Sequence, residues 1–433
     1  MAPDDGGEQA QVSNTITAVS SGRPPAAIAV LRVSGPQAAA VALALAGTLP
    51  EPRRASMRTL RDGAGSALDQ ALVLWFPGPC TATGEDLLEL HLHGGRAVIA
   101  AVERAVLAVA GVRAAGPGEF TRRALLNGRI DLAQAEGLAD LLAAETEAQR
   151  RAALALAEGG LSRAVAGWLD HLVGIRALVE AMIDHEDEED VGDQDATVER
   201  MLSALSWELS EVLARPTVER ASHGIRIVLA GPPNAGKSSL FNALIGRDAA
   251  IVTPIAGTTR DRIEATVHRQ GTTFTLVDTA GLNDNSSDTV EQMGIARSRT
   301  AMATADLVLW LDEADLPQGA MAIHSRSDLP GRDEAPANAV PVSVHDRASI
   351  EHLWSEIGRR TAALTPMPEH YLVHEAQRAL IAEAADELAS WARDPLIRAE
   401  TLRRASRTLA RIVGIDETEA VLDRLFARFC IGK

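Results

Sequence analysis

Apolar and polar positions alternate in three different rhythms along the chain. Over the first 120 residues, short β-rich apolar runs are interleaved with helix-periodic ones. Strand-like segments fall at 15–33, where the turn Ser21-Gly22-Arg23-Pro24-Pro25 interrupts them, and at 68–76, 86–93 and 112–114. Helices are predicted over 36–46 and 96–110. The mixture predicts a compact α+β domain over residues 1–120. From 121 to 220 the pattern becomes long, Ala- and Leu-rich and helical. Between 221 and 364 strands and helices alternate, as in a doubly wound α/β domain, with strand candidates at 225–230, 274–277, 307–311, 321–323 and 340–344. After Pro366 and Pro368 the chain reads as helical again, over 372–393, 400–413 and 418–428. The simplest architecture inserts the α/β segment into one helical domain made of 121–220 and 365–433.

The sharpest chemical signal sits at the first strand of the α/β segment. The stretch Gly231-Pro232-Pro233-Asn234-Ala235-Gly236-Lys237-Ser238-Ser239 fits G-x-x-x-x-G-K-[ST]. An apolar, β-branched run precedes it, and a helical run stopped by Gly246 follows it. Strand, glycine loop and helix start form a phosphate cradle, because backbone N–H groups and the helix N-terminus face the anion. Lys237 adds a full charge and Ser238 a hydroxyl for Mg²⁺. Downstream, Asp278-Thr279-Ala280-Gly281 follows a strand, and Thr258-Thr259-Arg260-Asp261 lies between the two elements, where a switch loop belongs. Thr259 is the natural Mg²⁺ ligand sensing a γ-phosphate, and this order predicts a GTPase-type switch.

The base-reading element is expected at His324-Ser325-Arg326-Ser327-Asp328, in place of Asn-Lys-x-Asp. Asp328 can accept both guanine N–H groups, whereas Ser325 and Arg326 are imperfect substitutes, so weakened guanine affinity is predicted. Leu282 stands where a water-orienting Gln would be, so that role must fall elsewhere. Asn234 offers a side-chain oxygen for a monovalent cation, and Glu291 is a carboxylate that could orient water; read alone, Glu291 reads more simply as a solvated helix-start residue.

Composition narrows the setting. A net charge of −17 excludes a simple basic nucleic-acid binder. Two cysteines, Cys80 and Cys430, make no disulfide framework and suit a reducing cytoplasm. No signal-peptide pattern and no apolar run near the roughly 18 residues of a membrane span is present. The acidic run at 185–190 reads as a solvated loop, since like charges repel and ligand spacing is lacking. Of 42 basic residues only Lys237 and Lys433 are lysines, which marks both as positions where a compact ammonium matters.

Several stretches together resemble the tRNA modification GTPase MnmE (TrmE) family over nearly the full length. They are Leu31-Arg32-Val33-Ser34-Gly35, Leu74-Trp75-Phe76-Pro77-Gly78-Pro79, Thr83-Gly84-Glu85-Asp86, Pro117-Gly118-Glu119-Phe120-Thr121 and Asn127-Gly128-Arg129-Ile130-Asp131-Leu132. To these add the P-loop, Ile255-Ala256-Gly257-Thr258-Thr259-Arg260-Asp261 and Phe429-Cys430-Ile431-Gly432-Lys433. The resemblance implies a mixed α+β and α/β multidomain protein. It would have an N-terminal tetrahydrofolate-binding-like domain that dimerises, a helical domain, and a Ras-like GTPase domain inserted in the latter.

The resemblance further implies that Arg32, Glu89, Arg129 and Lys433 hold 5-formyltetrahydrofolate. K⁺ would be held by Asn234, Thr253, Ile255 and Thr258, and Mg²⁺ by Ser238 and Thr259, while Glu291 would orient the hydrolytic water. GTP would contact Asn234 to Ser239, then Thr253, Pro254, Ile255, Ala256, Gly257, Thr258 and Thr259, then Asp278, Thr279, Ala280, Gly281 and Asp328. Ala235, Gly236 and Lys237 belong to the first set, Lys237 with a catalytic role. Implied partners are a second copy, a flavin-dependent protein (MnmG) in a heterotetramer, and tRNA, modified at C5 of the wobble uridine in the cytoplasm with no membrane involved. Departures from the family's pattern include Asn283, Ser343-Val344 and the turn Pro24-Pro25-Ala26-Ala27.

Overall fold

A computed structural model describes residues 14–184, 191–246, 264–269, 271–279, 300–312, 316–332, 334–364, 371–392, 394–414, 422, 425–427, 429 and 431–432. The chain divides into two compact units, residues 1–139 with 410–433, and 140–409.

The first unit is built on a six-stranded sheet in the order β3-β4-β5-β2-β1-β6. Its strands are β1 (Thr15–Val19), β2 (Ile28–Ser34), β3 (Ser56–Arg61), β4 (Ala67–Phe76), β5 (Leu87–His93) and β6 (Val112–Ala114). The period of two explains both faces. Leu31 and Val33 of β2 and Leu88, Leu90 and Leu92 of β5 enter one core with α1 (Ala38–Ala46) and α2 (Arg96–Leu107). Arg32 and Glu89 take the opposite face, directly across from one another in the β2–β5 register. Helix α1 begins at Ala38 rather than Pro36, after Gly35 at φ +126°. A Cβ on Gly35 would lie 2.8 Å from the Thr15 backbone. Strand β3 escapes the periodicity reading, because this edge strand buries only Leu60 and shows little apolar alternation.

Two elements complete this unit. Helix α3 (Glu119–Leu126) follows β6, and α4 (Leu132–Ala143) starts here and ends in the second unit. The C-terminal stretch returns to the sheet. Phe426 and Phe429 pack with Leu132 and Ala135, Ile431 bridges to Pro117, and the Ser20 hydroxyl donates to the Gly432 carbonyl at 2.7 Å. Any side chain at 432 would meet the Val19 carbonyl oxygen at 2.3 Å, so only glycine fits this approach.

The second unit joins helices to a second six-stranded sheet. After α5 (Glu147–Ala157) come α6 (Gly160–Asp184) and α7 (Val191–Leu213), which pack together. Leu161, Val165, Trp168, Leu172, Ile175, Val179 and Met182 are buried at alternating spacings of four and three, one stripe of α6. The short α8 (Val218–His223) leads into the sheet, whose order is β12-β11-β10-β7-β9-β8. Its strands are β7 (Ile225–Ala230), β8 (Glu264–Arg269), β9 (Thr272–Asp278), β10 (Leu307–Trp310), β11 (Met321–Ser325) and β12 (Ala339–Val342). All pair in parallel except the edge strand β8, which runs antiparallel to β9. β8 also lies outside the strands predicted from periodicity: its core residues are only Ala265 and Val267.

Helices α9 (Lys237–Ile245) and α10 (Arg347–Thr361) cover this sheet. Then α11 (Glu375–Ala389) packs on α7, and α12 (Pro395–Arg411) follows. α11 starts three residues later than predicted, because Val373 bridges to Thr217 in extended conformation and His374 becomes the N-cap. α12 starts earlier, with Pro395 at its first position and the Asp394 carboxylate accepting from the Leu396 N–H at 2.8 Å. The predicted helix at 418–428 and the acidic run at 185–190 lie largely or wholly outside the described residues. Among the described residues no helix is long and apolar enough to cross a membrane.

Candidate functional site

The phosphate cradle forms where β7 stops. β7 lies between β9 and β10, so its C-terminal end opens at the middle of the sheet. Gly231 takes φ +142°, and a Cβ there would meet the Leu311 backbone at 3.2 Å. Asn234 and Gly236 are left-handed at φ +61° and +97°, which turns the chain into the N-terminus of α9. Asn234, Ser238 and Ser239 are exposed on this crown. Lys237 is 7% exposed, and its ammonium donates to the Gly231 and Pro232 carbonyls at 2.9 and 2.8 Å. Burial pushes the Lys237 ammonium below its usual pKa, and the nearby Asp278 carboxylate opposes that.

The neighbouring strand supplies the acidic partner. Asp278 ends β9 opposite Leu229 and is 5% exposed. Thr279 is buried beside it and donates its hydroxyl to the Leu229 carbonyl at 2.8 Å. Carboxylate, ammonium and helix N-terminus thus converge within one strand end, and this donor set suits a Mg²⁺-polyphosphate.

The base-reading segment closes onto the same loop. The Ser325 hydroxyl donates to the Ala235 carbonyl at 2.9 Å, and the Arg326 guanidinium donates to the Asn234 carbonyl at 2.7 Å. Arg326 reaches it from a left-handed backbone at φ +59°. Asp328 lines a cleft of about 220 Å³ with Leu240, Arg326, Leu329, Val344 and His345. A hydrogen bond from Ser343 holds the Asp328 carboxyl below the usual range. Apolar walls with one ionised carboxylate suit a flat base that donates N–H groups.

Thr253, Pro254, Ile255, Ala256, Gly257, Thr258, Thr259, Ala280, Gly281, Leu282, Asn283 and Glu291 lie outside the described residues, as do Cys430 and Lys433.

The first unit presents a different kind of cluster. Arg32 donates through Nε and one terminal nitrogen to Glu89 Oε1, at 3.1 and 2.7 Å, and its guanidinium lies 5.9 Å from the centre of the Phe120 ring. His91 Nε2 lies 3.3 Å from the other Glu89 oxygen. Arg129 is exposed and donates from Nε to the Thr81 carbonyl at 3.1 Å. Gly432 brings the C-terminal stretch to Ser20 of the same unit.

Sequence reasoning missed the support beneath this cluster. Arg123 is 3% exposed and bridges Glu85 and Glu119, at 3.0 and 3.2 Å. Ser34 donates to Glu85 at 2.6 Å, and Arg113 pairs with Glu119. Burial pushes the Glu119 carboxyl up, yet Arg113, the Gly116 N–H and Arg123 together hold it below the usual range. The available signal was a glutamate in each of two motif stretches, Thr83-Gly84-Glu85-Asp86 and Pro117-Gly118-Glu119-Phe120-Thr121, with an arginine following the second.

A mostly parallel sheet whose central strand ends in a glycine loop, a buried lysine and a helix start defines a P-loop nucleotide-binding protein. Comparison with known proteins narrows this. Residues 15–129 match the family described as GTP-binding protein TrmE N-terminus, and residues 132–430 match the MnmE helical domain. A tRNA modification GTPase MnmE of Erythrobacter litoralis is 52% identical, the match covering 97% of this chain and all of that one. Its namesake from Novosphingobium aromaticivorans is 49% identical over 98% of this chain and all of that one. Among solved structures, the G domain of the T. maritima FeoB iron transporter aligns at 23% identity with a TM-score of 0.23, covering 32% of this chain and 98% of that one. The chain belongs to the tRNA modification GTPase MnmE family.

Proposed function

We propose that this chain is a potassium-dependent GTP hydrolase of wobble-uridine modification. It works in the cytoplasm as a homodimer, and with a flavin-dependent partner (MnmG) in a heterotetramer it uses a tetrahydrofolate one-carbon unit to form an aminomethyl-type (carboxymethylaminomethyl) modification at C5 of the wobble uridine in certain tRNAs. A GTP hydrolase acting in tRNA modification follows from family membership. The finer assignments are our own reading. They include the nucleotide domain at 221–364 as an insertion between helical segments 121–220 and 365–433, behind an N-terminal domain at 1–120. In support of the insertion, the chain crosses from helices to sheet at Thr217 and back at Val373, and these two residues pair.

The observation that carries the potassium reading is Asn234. It is exposed in a left-handed turn at the crown of the P-loop, with its carbonyl tied to Arg326. Its side chain is exposed beside the phosphate cradle. Thr253, Ile255 and Thr258 would complete the K⁺ shell, and Ser238 and Thr259 would hold Mg²⁺. The two cations supply charge neutralisation for the transferring phosphoryl group. Lys237 and the α9 N-terminus bind and orient the phosphates, Asp328 reads the base, and Glu291 holds the attacking water in line. Arg32, Glu89, Arg129 and Lys433 would bind the folate, for which the Arg32–Glu89 pair offers both a guanidinium and a carboxylate on one sheet face.

The test is GTP hydrolysis by the purified protein in K⁺ against Na⁺. A drop of about 10²-fold in Na⁺ is expected, in line with loss of a charge-stabilising group. Equal rates would overturn the potassium reading. Glu291→Ala should lose most hydrolysis with nucleotide binding kept; full activity would remove its proposed role.

A further inference from the structure

The loop that carries Asp328 is closed at its base by two side chains, His324 and Arg332, that do not line the cleft beside it. β11 ends at Ser325, and two consecutive turns fold the chain back. The Leu329 N–H donates to the Arg326 carbonyl at 3.1 Å, and the Arg332 N–H to the Leu329 carbonyl at 3.0 Å. At the return, the Arg332 guanidinium donates from Nε to the Ser325 carbonyl at 2.9 Å. His324 is 3% exposed, and its Nε2 lies 2.8 Å from the Arg332 carbonyl. A carbonyl only accepts, so Nε2 is the donor. Strand end and loop end thus hold one another reciprocally, side chain to main chain in both directions.

Local sequence does little to fix this loop. Arg326, Asp328, Leu329, Pro330 and Gly331 are all exposed, so burial does not set their positions. Arg326 is left-handed at φ +59°, a conformation that surrounding contacts must hold in place for a residue other than glycine. The Ser327 N–H donates to the Val342 carbonyl at 3.2 Å and ties the middle of the loop to the sheet. Ser325 carries one hydroxyl, where an asparagine would carry a carbonyl and two N–H donors. That hydroxyl donates to the Ala235 carbonyl of the P-loop, and Arg332 holds the carbonyl of the same residue.

A carboxylate that accepts two N–H groups from one flat base must be placed to within about 0.5 Å. Arg332 is absent from the lining of the cleft, so its influence on a bound base passes through the loop. We propose that Arg332, seated on His324, is a positioning residue for base recognition: it closes the loop so that the Asp328 carboxylate meets both guanine N–H groups. The proposal rests on the reading of Asp328 as the base contact.

The experiment compares GDP with IDP on the full chain by calorimetry. Hypoxanthine keeps the N1–H of guanine and lacks its 2-amino group, so the affinity ratio reports the second hydrogen bond to Asp328. The wild type should favour GDP by about tenfold, the worth of one hydrogen bond to a charged group. Arg332→Ala should remove most of that preference, lowering GDP affinity about tenfold and IDP affinity about twofold. Arg332→Lys keeps the charge and the fold but has no donor at the Nε position, and should lose the preference in the same way. A wild-type preference in Arg332→Lys, or equal losses for the two nucleotides in both variants, would overturn the proposal. Asp328→Ala separates this from the functional reading, because it should level GDP and IDP by itself. If Asp328→Ala keeps the preference, the base contact is wrong and the proposal falls with it. If Asp328→Ala levels the two while Arg332→Lys discriminates as the wild type does, the positioning role alone is refuted.

Discussion

The two six-stranded sheets place their chemistry in opposite ways. In the second unit the candidate groups sit where strands end: Gly231 to Ser239 follow β7, Asp278 closes β9, and Ser325 closes β11. Parallel strands bring these ends to one edge, and the donors are largely main-chain N–H groups whose direction is set by consecutive residues. In the first unit the candidate pair sits in mid-strand, Arg32 on β2 and Glu89 on β5, separated by 57 positions and joined only by antiparallel register. A loop site is written in contiguous residues. A face site exists only if two strands pair without slipping by one residue, since a slip would turn one partner into the core. The first kind tolerates change in the surrounding sheet, and the second depends on whatever pins the register.

That contrast can be broken most sharply at Lys237. Lys237→Ala removes the ammonium from the cradle and should lower GTP hydrolysis by about 10²-fold or more, with the first unit's stability unchanged. Retained hydrolysis would show that the loop's backbone suffices. For stability, the largest loss is expected from Arg123→Met, which leaves Glu85 and Glu119 buried without their shared partner. A loss of about 3–5 kcal/mol is expected in denaturant unfolding of the first unit, with nucleotide binding intact. If stability is unaffected, the Arg123 network does not pin the sheet face. A smaller effect is expected from Ser325→Ala, which deletes the bond to the Ala235 carbonyl. Guanine nucleotide affinity should fall about fivefold by calorimetry, the worth of about 1 kcal/mol for one hydrogen bond; an unchanged affinity would leave Arg326 as the sole tie.

The least pronounced expectation concerns acid. The Glu119 carboxyl is held below its usual range in the folded state. Its contribution is present above the ordinary carboxylate pKa and lost as pH falls through the depressed value. Acidification below about pH 4.5 should therefore destabilise the wild-type first unit more than Glu119→Gln. Parallel acid limbs would deny Glu119 that part.

Legibility followed the same division. The P-loop, its preceding strand and its following helix were readable because glycine spacing, lysine and local periodicity all act within a dozen residues. The edge strands β3 and β8 were not, since each buries only one or two apolar side chains and so shows little alternation. Arg32, Glu89 and Arg129 entered as candidates through family resemblance alone; their residue types and local pattern mark them only as ordinary surface charges. Arg123 and His374 are not legible in any short stretch, because Arg123 is completed by Glu85, 38 positions away, and His374 by Asp140, 234 positions away.

By itself, then, the sequence determined the local elements and the phosphate cradle, where covalent neighbours dictate which backbone N–H groups face outward. The tertiary structure decided which charges meet. It joined Arg32 to Glu89 by strand register, brought Phe426, Phe429 and Gly432 back to the first unit, and placed His374 beside two carboxylates. Ion pairs of this kind are set by burial and long-range packing, and neither is encoded in any short stretch of residues.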